Sequence, residues 1–241
     1  MTAATLLPVS LGVLVGAGTQ RVTGVGFALV AGPLLVLLLG PVEGVRLVNL
    51  LSLLSSMVVL PTVWREVEFR RVARLAVPAL LVLPAGAWIA RNVPGAPLMI
   101  AEGVLVLTAL YGLHRFNAPR ALQGRAGETG AGAASGLMNV TAGIGGPAIT
   151  LYAAATRWEH KSFVASMQLY TVLVNAGSIA AKGWPQLPYR TLAIAAACAL
   201  AGVALGHKLE HRVSRERARR AVLAIAALGG VTAILKGVIT V

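Results

Sequence analysis

Arg21 stands in sequence that is otherwise almost continuously apolar from Leu6 to Leu39, within the stretch Thr19-Gln20-Arg21-Val22-Thr23-Gly24-Val25-Gly26. A guanidinium presents N–H donors in a planar fork that matches two oxygens of an oxyanion. A charge at membrane depth costs at least about 2.5–3.5 kcal/mol and is rarely idle there. A second polar interruption, Asn139-Val140-Thr141-Ala142-Gly143-Ile144-Gly145-Gly146-Pro147, carries no charge but offers amide, hydroxyl and glycine backbone. Free N–H groups at the starts of short helices favour anions through hydrogen bonding and the helix dipole. Gln20, Arg21, Thr23, Gly24, Gly26, Asn139, Thr141, Gly143, Gly145 and Gly146 are therefore candidate anion-binding residues. The competing reading makes the glycines helix-packing residues. It makes Arg21 the partner of Glu43 or Glu102, or a side chain snorkelling to the surface.

Two further sets lie on apolar segments. Asn49 and Ser52 are three apart, as are Gln168 and Thr171, and Asn175 follows four later. Each set shares one helix face, which either lines a path or hydrogen-bonds between helices. Glu102, about one turn inside the expected start of its apolar segment, is a candidate for proton coupling or for an ion pair with a basic neighbour.

Enzyme chemistry finds little to stand on. The chain has eight acidic residues, all Glu, so a Ser/His/Asp triad cannot be assembled. His114, His160, His207 and His211 fall in expected loops, and the i, i+4 pair His207/His211 lacks the acid of a metalloprotease motif. Gly24-Val25-Gly26 lacks the Gly-Lys-Ser/Thr of a phosphate loop, and the single Cys198 gives neither disulfide nor thiolate cluster. No cofactor is expected.

These residues need an apolar frame to hold them. Hydrophobic residues make up 57% of the chain and charged residues 12%, against about 25% charged in soluble domains. Several apolar runs approach the ~20 residues that cross a bilayer as a helix, and they are continuous rather than alternating. The composition predicts an all-α integral membrane protein. The net charge of +13 then reflects basic cytoplasmic loops rather than nucleic-acid binding. The expected partners are a small anionic substrate and the bilayer, with a homo-oligomer left open.

Two broken apolar blocks, Leu6–Leu39 and Gly130–Ala155, each precede three spans. The first three are expected at about 44–63, 75–90 and 98–113, and the second three at about 163–181, 190–206 and 221–239. Pro78 and Pro84 are expected kinks. The halves share a register: Gly24 and Gly143 are 119 apart, as are Arg71 and Arg190, while Pro97 and Arg217 are 120 apart. A single transmembrane domain is expected, made of repeat 1 (about 5–113) and repeat 2 (about 130–239) joined by a polar linker at 114–128. Such duplication marks transporter folds.

Loop charge discriminates between two topologies. If each broken block crossed once, neither face would collect an excess of basic residues. If each block turns back at its break, the loops at 64–74, 114–128, 156–161 and 207–220 share one face, with 15 of the 21 Lys and Arg residues. Arg46, Arg91, Lys182, Arg190 and Lys236 occupy the other face, and Arg21 stays inside. The positive-inside rule selects the second arrangement. It predicts re-entrant first helices, inverted repeats and both termini outside the cytoplasm, in the plasma membrane.

Gly24-Val25-Gly26 leading to Pro33, and Gly136-Leu137-Met138 followed by Gly143-Ile144-Gly145-Gly146-Pro147, resemble the two signatures of the sulfite exporter TauE/SafE family. Phe27 and Ala28 stand where that family commonly has a run of glycines. The resemblance covers nearly the whole chain and implies membrane transport of sulfite, sulfonates or related organic anions. The expected function is secondary transport of such an anion, bound between the two glycine-rich breaks. An anion channel and a non-transporting assembly subunit are the alternatives.

Overall fold

The computed structural model describes residues 3–23, 26–115, 123–209 and 215–240, apart from the side chains at 3–5, 21–23, 109, 113–115, 209 and 215–219. Ten α-helices follow in order: α1 (Ala3–Thr23), α2 (Gly26–Leu39), α3 (Pro41–Val63), α4 (Phe69–Asn92), α5 (Gly95–Arg115), α6 (Gly124–Ala142), α7 (Gly146–Ala155), α8 (His160–Lys182), α9 (Tyr189–Leu209) and α10 (Arg215–Thr240). No strand occurs among the described residues. α3, α4, α5, α8, α9 and α10 are each long and apolar enough to cross a membrane. Their outer faces are apolar: Leu81, Trp88, Leu228 and Ile239 are 65–84% exposed. Meanwhile Asn49, Ser55, Ser56, Gln168 and Asn175 are buried. This polar-inside pattern is that of a helix bundle in lipid.

Both broken blocks fold back as antiparallel hairpins. Gly12 of α1 faces Leu34 of α2, while Gly16, one turn later, faces Ala31 and Phe27. In the second block Ser135 Oγ donates to the carbonyl of Gly145 at 2.7 Å, near the turn. Gln123 Nε2 donates to that of Ala155 at 3.1 Å, at the open end. Chain chemistry explains the second turn. Gly143 ends α6 with φ +73°, a left-handed conformation that L side chains adopt at a cost. Its N–H reaches Asn139 O, and the N–H of Ile144 reaches Met138 O, closing the helix end. Pro147 then sits in the first turn of α7, where its missing N–H costs nothing.

The long helices set the frame around the hairpins. α1 packs chiefly on α9, and α6 chiefly on α4. α4 and α6 run parallel, with Gly132 against Leu75, Gly136 against Ala79, and Gly86 against Val140. A Cβ at Gly136 would overlap the Ala79 backbone, so this contact requires glycine. α3 and α8 run antiparallel. Arg46, early in α3, donates to the carbonyl of Lys182 at the end of α8 at 2.6 Å. At the other end the N–H of Glu68 donates to Ser166 Oγ at 2.9 Å. α5 and α10 also run antiparallel, pairing Gly103 with Gly230 and Ile100 with Gly237.

Several boundaries differ from the sequence expectation. α4 starts at Phe69, not Leu75, and takes in Arg70, Arg71 and Arg74. Contacts from other segments hold its first turn: Arg71 stacks over the buried Trp158 at 4.4 Å and pairs with Glu68 at 3.3 Å. Helix α4 continues through both Pro78 and Pro84. α1 runs on through Arg21 to Thr23, past its apolar part Leu6–Gln20, which like α2 is shorter than the six spans. Glu102 lies two turns into α5, which begins at Gly95. His114, His160 and His207 belong to α5, α8 and α9 rather than to loops. The expected linker at 114–128 shrinks to the segment between Arg115 and Gly124, of which 116–122 lie outside the described residues. So do 210–214, with His211, in the expected basic loop.

Candidate functional site

The two hairpin tips meet α3 and α8 around one buried cavity of about 40 Å³. At about 10–15 Å³ per water it has room for a few waters or one small anion. From the first hairpin come Gln20, in the last turn of α1, and Phe27 and Ala28, in the first turn of α2. From the second come Asn139, near the end of α6, and Gly143, Gly145 and Gly146, which lead into α7. Ser52 of α3 and Met167, Tyr170, Thr171, Val174 and Asn175 of α8 complete the wall.

The N-terminal turns of two helices, α2 and α7, thus open on the same space. A helix's first N–H groups have no partner within the helix, and they carry the positive end of its dipole. Both helices begin with glycine, which lets backbone come close. The cavity therefore offers two sets of donors from opposed hairpins.

Side chains around it are ordered by a short network. Asn139 Nδ2 donates to Asn175 Oδ1 at 3.1 Å and to Ser178 Oγ at 3.0 Å. Asn175 Nδ2 in turn donates to the carbonyl of Thr171 at 2.9 Å. Gln20 Nε2 donates to Ser56 Oγ at 3.2 Å, and its Oε1 is buried without a partner. The Tyr170 hydroxyl, with Ser135 as a polar neighbour, completes no hydrogen bond. Unsatisfied buried polar atoms are few in folded proteins, and each calls for a cause such as a ligand or water.

Of the residues expected from sequence, Gln20, Ser52, Asn139, Gly143, Gly145, Gly146, Thr171 and Asn175 line this cavity. Gly26 starts α2 beside it. Gly24 and the side chains of Arg21 and Thr23 lie outside the described residues. Three others point elsewhere. Thr141 Oγ1 donates back to the carbonyl of Leu137 at 2.7 Å and lines a different, smaller cavity. Two residues from Asn139 on a helix, it belongs to the opposite face. Asn49 is fully buried with both amide atoms unpartnered, but does not reach the cavity. Gln168 is buried and donates to its own helix at Val164 O, 3.4 Å away. Glu43, named above as a partner for Arg21, pairs with Arg46 at 2.5 Å.

Five lining residues are not among the candidates from the sequence: Phe27, Ala28, Met167 and Val174, which are apolar, and Tyr170, which carries a hydroxyl. Stepping back from Asn175 by four and eight residues reaches Thr171 and Met167, so the helical period could have found part of this wall. Phe27 and Ala28 stand in the first glycine-rich signature, and their place in the wall follows from α2 beginning at Gly26.

The fold and site define a class: a multi-pass helical membrane protein with a buried polar cavity between two helix hairpins. The family model for the sulfite exporter TauE/SafE matches residues 9–233 of the chain, and the protein belongs to that family. Membership implies membrane transport of sulfur-containing anions as its general function. No curated protein and no solved structure matches the chain.

Proposed function

We propose that the protein is a secondary transporter that carries sulfite, a sulfonate or a related small organic anion across the plasma membrane by alternating access. The observation that carries this reading is the convergence of the α2 and α7 N-terminal turns on one buried cavity. Half-helix N-termini aimed at an anionic group near the midplane are a recurrent transporter solution. Gln20, Ser52, Asn139, Thr171 and Asn175 orient the anion, the N–H groups of Gly145 and Gly146 donate to its oxygens, and Gly143, whose own N–H closes α6, forms part of the wall. Arg21, next in the chain to Gln20, supplies the positive charge.

In this reading the chain is an inverted repeat of about 5–113 and 130–239. Three packing relations support it. The matched helices α3 and α8 run antiparallel, as do α5 and α10, which a two-fold axis in the membrane plane requires. The pairing of α1 with α9 mirrors that of α6 with α4. The hairpins then enter from opposite faces, and six crossings leave both termini on the extracytoplasmic side.

Flux into proteoliposomes tests the reading. Wild type is expected to show saturable counterflow of radiolabelled sulfite or ethanesulfonate. Loss of a charge-assisted hydrogen bond costs about 1.5–3 kcal/mol, so Arg21→Ala should raise the half-saturation concentration about 10- to 100-fold. If folded Arg21→Ala transports with wild-type rate and affinity, Arg21 is not the anion's charge partner. A conductance without saturation or counterflow would make the protein a channel.

A further inference from the structure

Away from the anion cavity the protein buries two opposite charges that do not touch. Glu102 on α5 and Lys182, the last residue of α8, are each 4% exposed. Both carboxylate oxygens of Glu102 and the Lys182 ammonium lack a hydrogen-bond partner. They line one cavity of about 10 Å³, together with Arg46 of α3, Arg91 of α4 and Thr141 of α6.

The other charges around Glu102 are already engaged. Arg46 is held by Glu43 at 2.5 Å and by the carbonyl of Lys182. Arg91 donates to the carbonyl of Ala181. On α10, which packs along α5, Lys236 donates to the carbonyl of Leu37 at 2.5 Å. Among the described residues this leaves Lys182 as the unbonded cation facing Glu102. A structural ion pair would close and fill its remaining hydrogen bonds, because buried charges left apart are costly. An intramembrane acid of this kind is by default a functional candidate, and proton relays are a common use.

Its position joins it to the anion site. Glu102 also lines a second cavity of about 10 Å³, with Ala142 and Ile144 of the α6–α7 turn. Gly143, between those two residues, lines the anion cavity. The same turn therefore touches Glu102 on one side and the anion on the other. On the water side Arg91 is exposed at the cavity mouth.

We propose that Glu102 is the proton-coupling site of this transporter, with Lys182 as its counter-charge and the α6–α7 turn as the link to the anion. This rests on the transport reading above. One proton from water on the Arg91 side binds a carboxylate oxygen of Glu102, and it leaves to water on the opposite side after the hairpins exchange access. Nothing else is consumed. A proton on Glu102 and an anion at the hairpin tips attract each other, so the two travel together as symport.

The test uses the full-length protein in proteoliposomes with sulfite and ethanesulfonate as probes and a pH dye trapped inside. With the lumen one pH unit more alkaline, wild type should accumulate ethanesulfonate about tenfold at one proton per anion. Glu102→Asp should keep this accumulation. Glu102→Gln should lose it while retaining counterflow at equal pH. Comparing wild type with Glu102→Gln cancels the acid–base equilibrium of sulfite itself. Wild-type counterflow without pH-driven accumulation overturns the coupling and leaves transport standing. Accumulation by Glu102→Gln equal to wild type overturns the assignment to Glu102. If Glu102→Gln does not fold, Glu102→Met takes its place with the same two outcomes, and the proton-to-anion ratio of wild type, read by the dye, decides the coupling itself. Absence of wild-type counterflow for both probes overturns the transport reading, and the coupling with it.

Discussion

Asn139 and Thr141 are two positions apart, and both are small polar residues in the same glycine-rich stretch. Their surroundings separate them. Asn139 gives both amide hydrogens to α8, at Asn175 and Ser178, and faces the cavity. Thr141 gives its hydroxyl hydrogen to its own helix. Asn139→Ala leaves two buried acceptors without a donor and should cost about 1–3 kcal/mol, read as a lower melting temperature in detergent. It should also weaken anion affinity. Thr141→Ala should leave anion affinity at the wild-type value, and a shared affinity loss would mean that the site extends across α6. Tyr170 offers a complementary test, since its buried hydroxyl completes no hydrogen bond. Tyr170→Phe should be neutral or stabilising without ligand. If the hydroxyl contacts the anion, the half-saturation concentration should rise several-fold in the same variant. At this scale residue type was legible in the sequence and direction was not. A two-residue step along a helix reverses the face, and the polar character of Thr141 gives no warning of it.

Helices bring in backbone constraints. Gly143 closes α6 at φ +73°, and a Cβ there would lie 3.1 Å from Val48. Gly143→Ala should therefore destabilise by about 1–2 kcal/mol from backbone strain, before any repacking. It should impair transport more than a surface change of equal cost, because the turn borders the anion cavity. The start of α8 supplies a pH-dependent element. Glu159 caps it, accepting from the N–H groups of Ser162 at 2.7 Å and Lys161 at 2.9 Å. These hydrogen bonds hold its carboxyl below the usual carboxylate range. A lowered folded value means the cap stabilises above the ordinary carboxylate pKa of about 4.3 and fades as pH falls through the folded value. Glu159→Ala should thus melt below wild type at neutral pH, and the gap should narrow on acidification. A gap independent of pH would exclude the charge as the source. Both interruptions of the apolar blocks were legible, because glycine, proline and polar residues break helices for local reasons. The early start of α4 was not. Its arginines read as loop, but Arg71 stacks on Trp158, from a segment 87 residues later, and no local pattern reports that contact.

For the molecule as a whole, the governing quantity is the distribution of charge between its two ends. α3 and α8 run antiparallel, so Arg65, just after α3, lies at the Ser166 end, and Trp184, just after α8, lies at the Arg46 end. The segments 64–74 and 156–161, which include the first turns of α4 and α8, belong to the first end, which in the proposed topology also holds the 114–128 and 207–220 segments and most of the basic residues. Positive charge retains loops in the cytoplasm, so Arg65 should be cytoplasmic and Trp184 external. Both positions are exposed. With Cys198 replaced by serine, a cysteine at Trp184 should react with a membrane-impermeant maleimide on intact cells. A cysteine at Arg65 should react only after permeabilisation. The reversed pattern would invert the molecule and place its termini inside. Reaction of both from one side would break the six-crossing arrangement, and with it the argument that the two hairpins approach the anion from opposite faces.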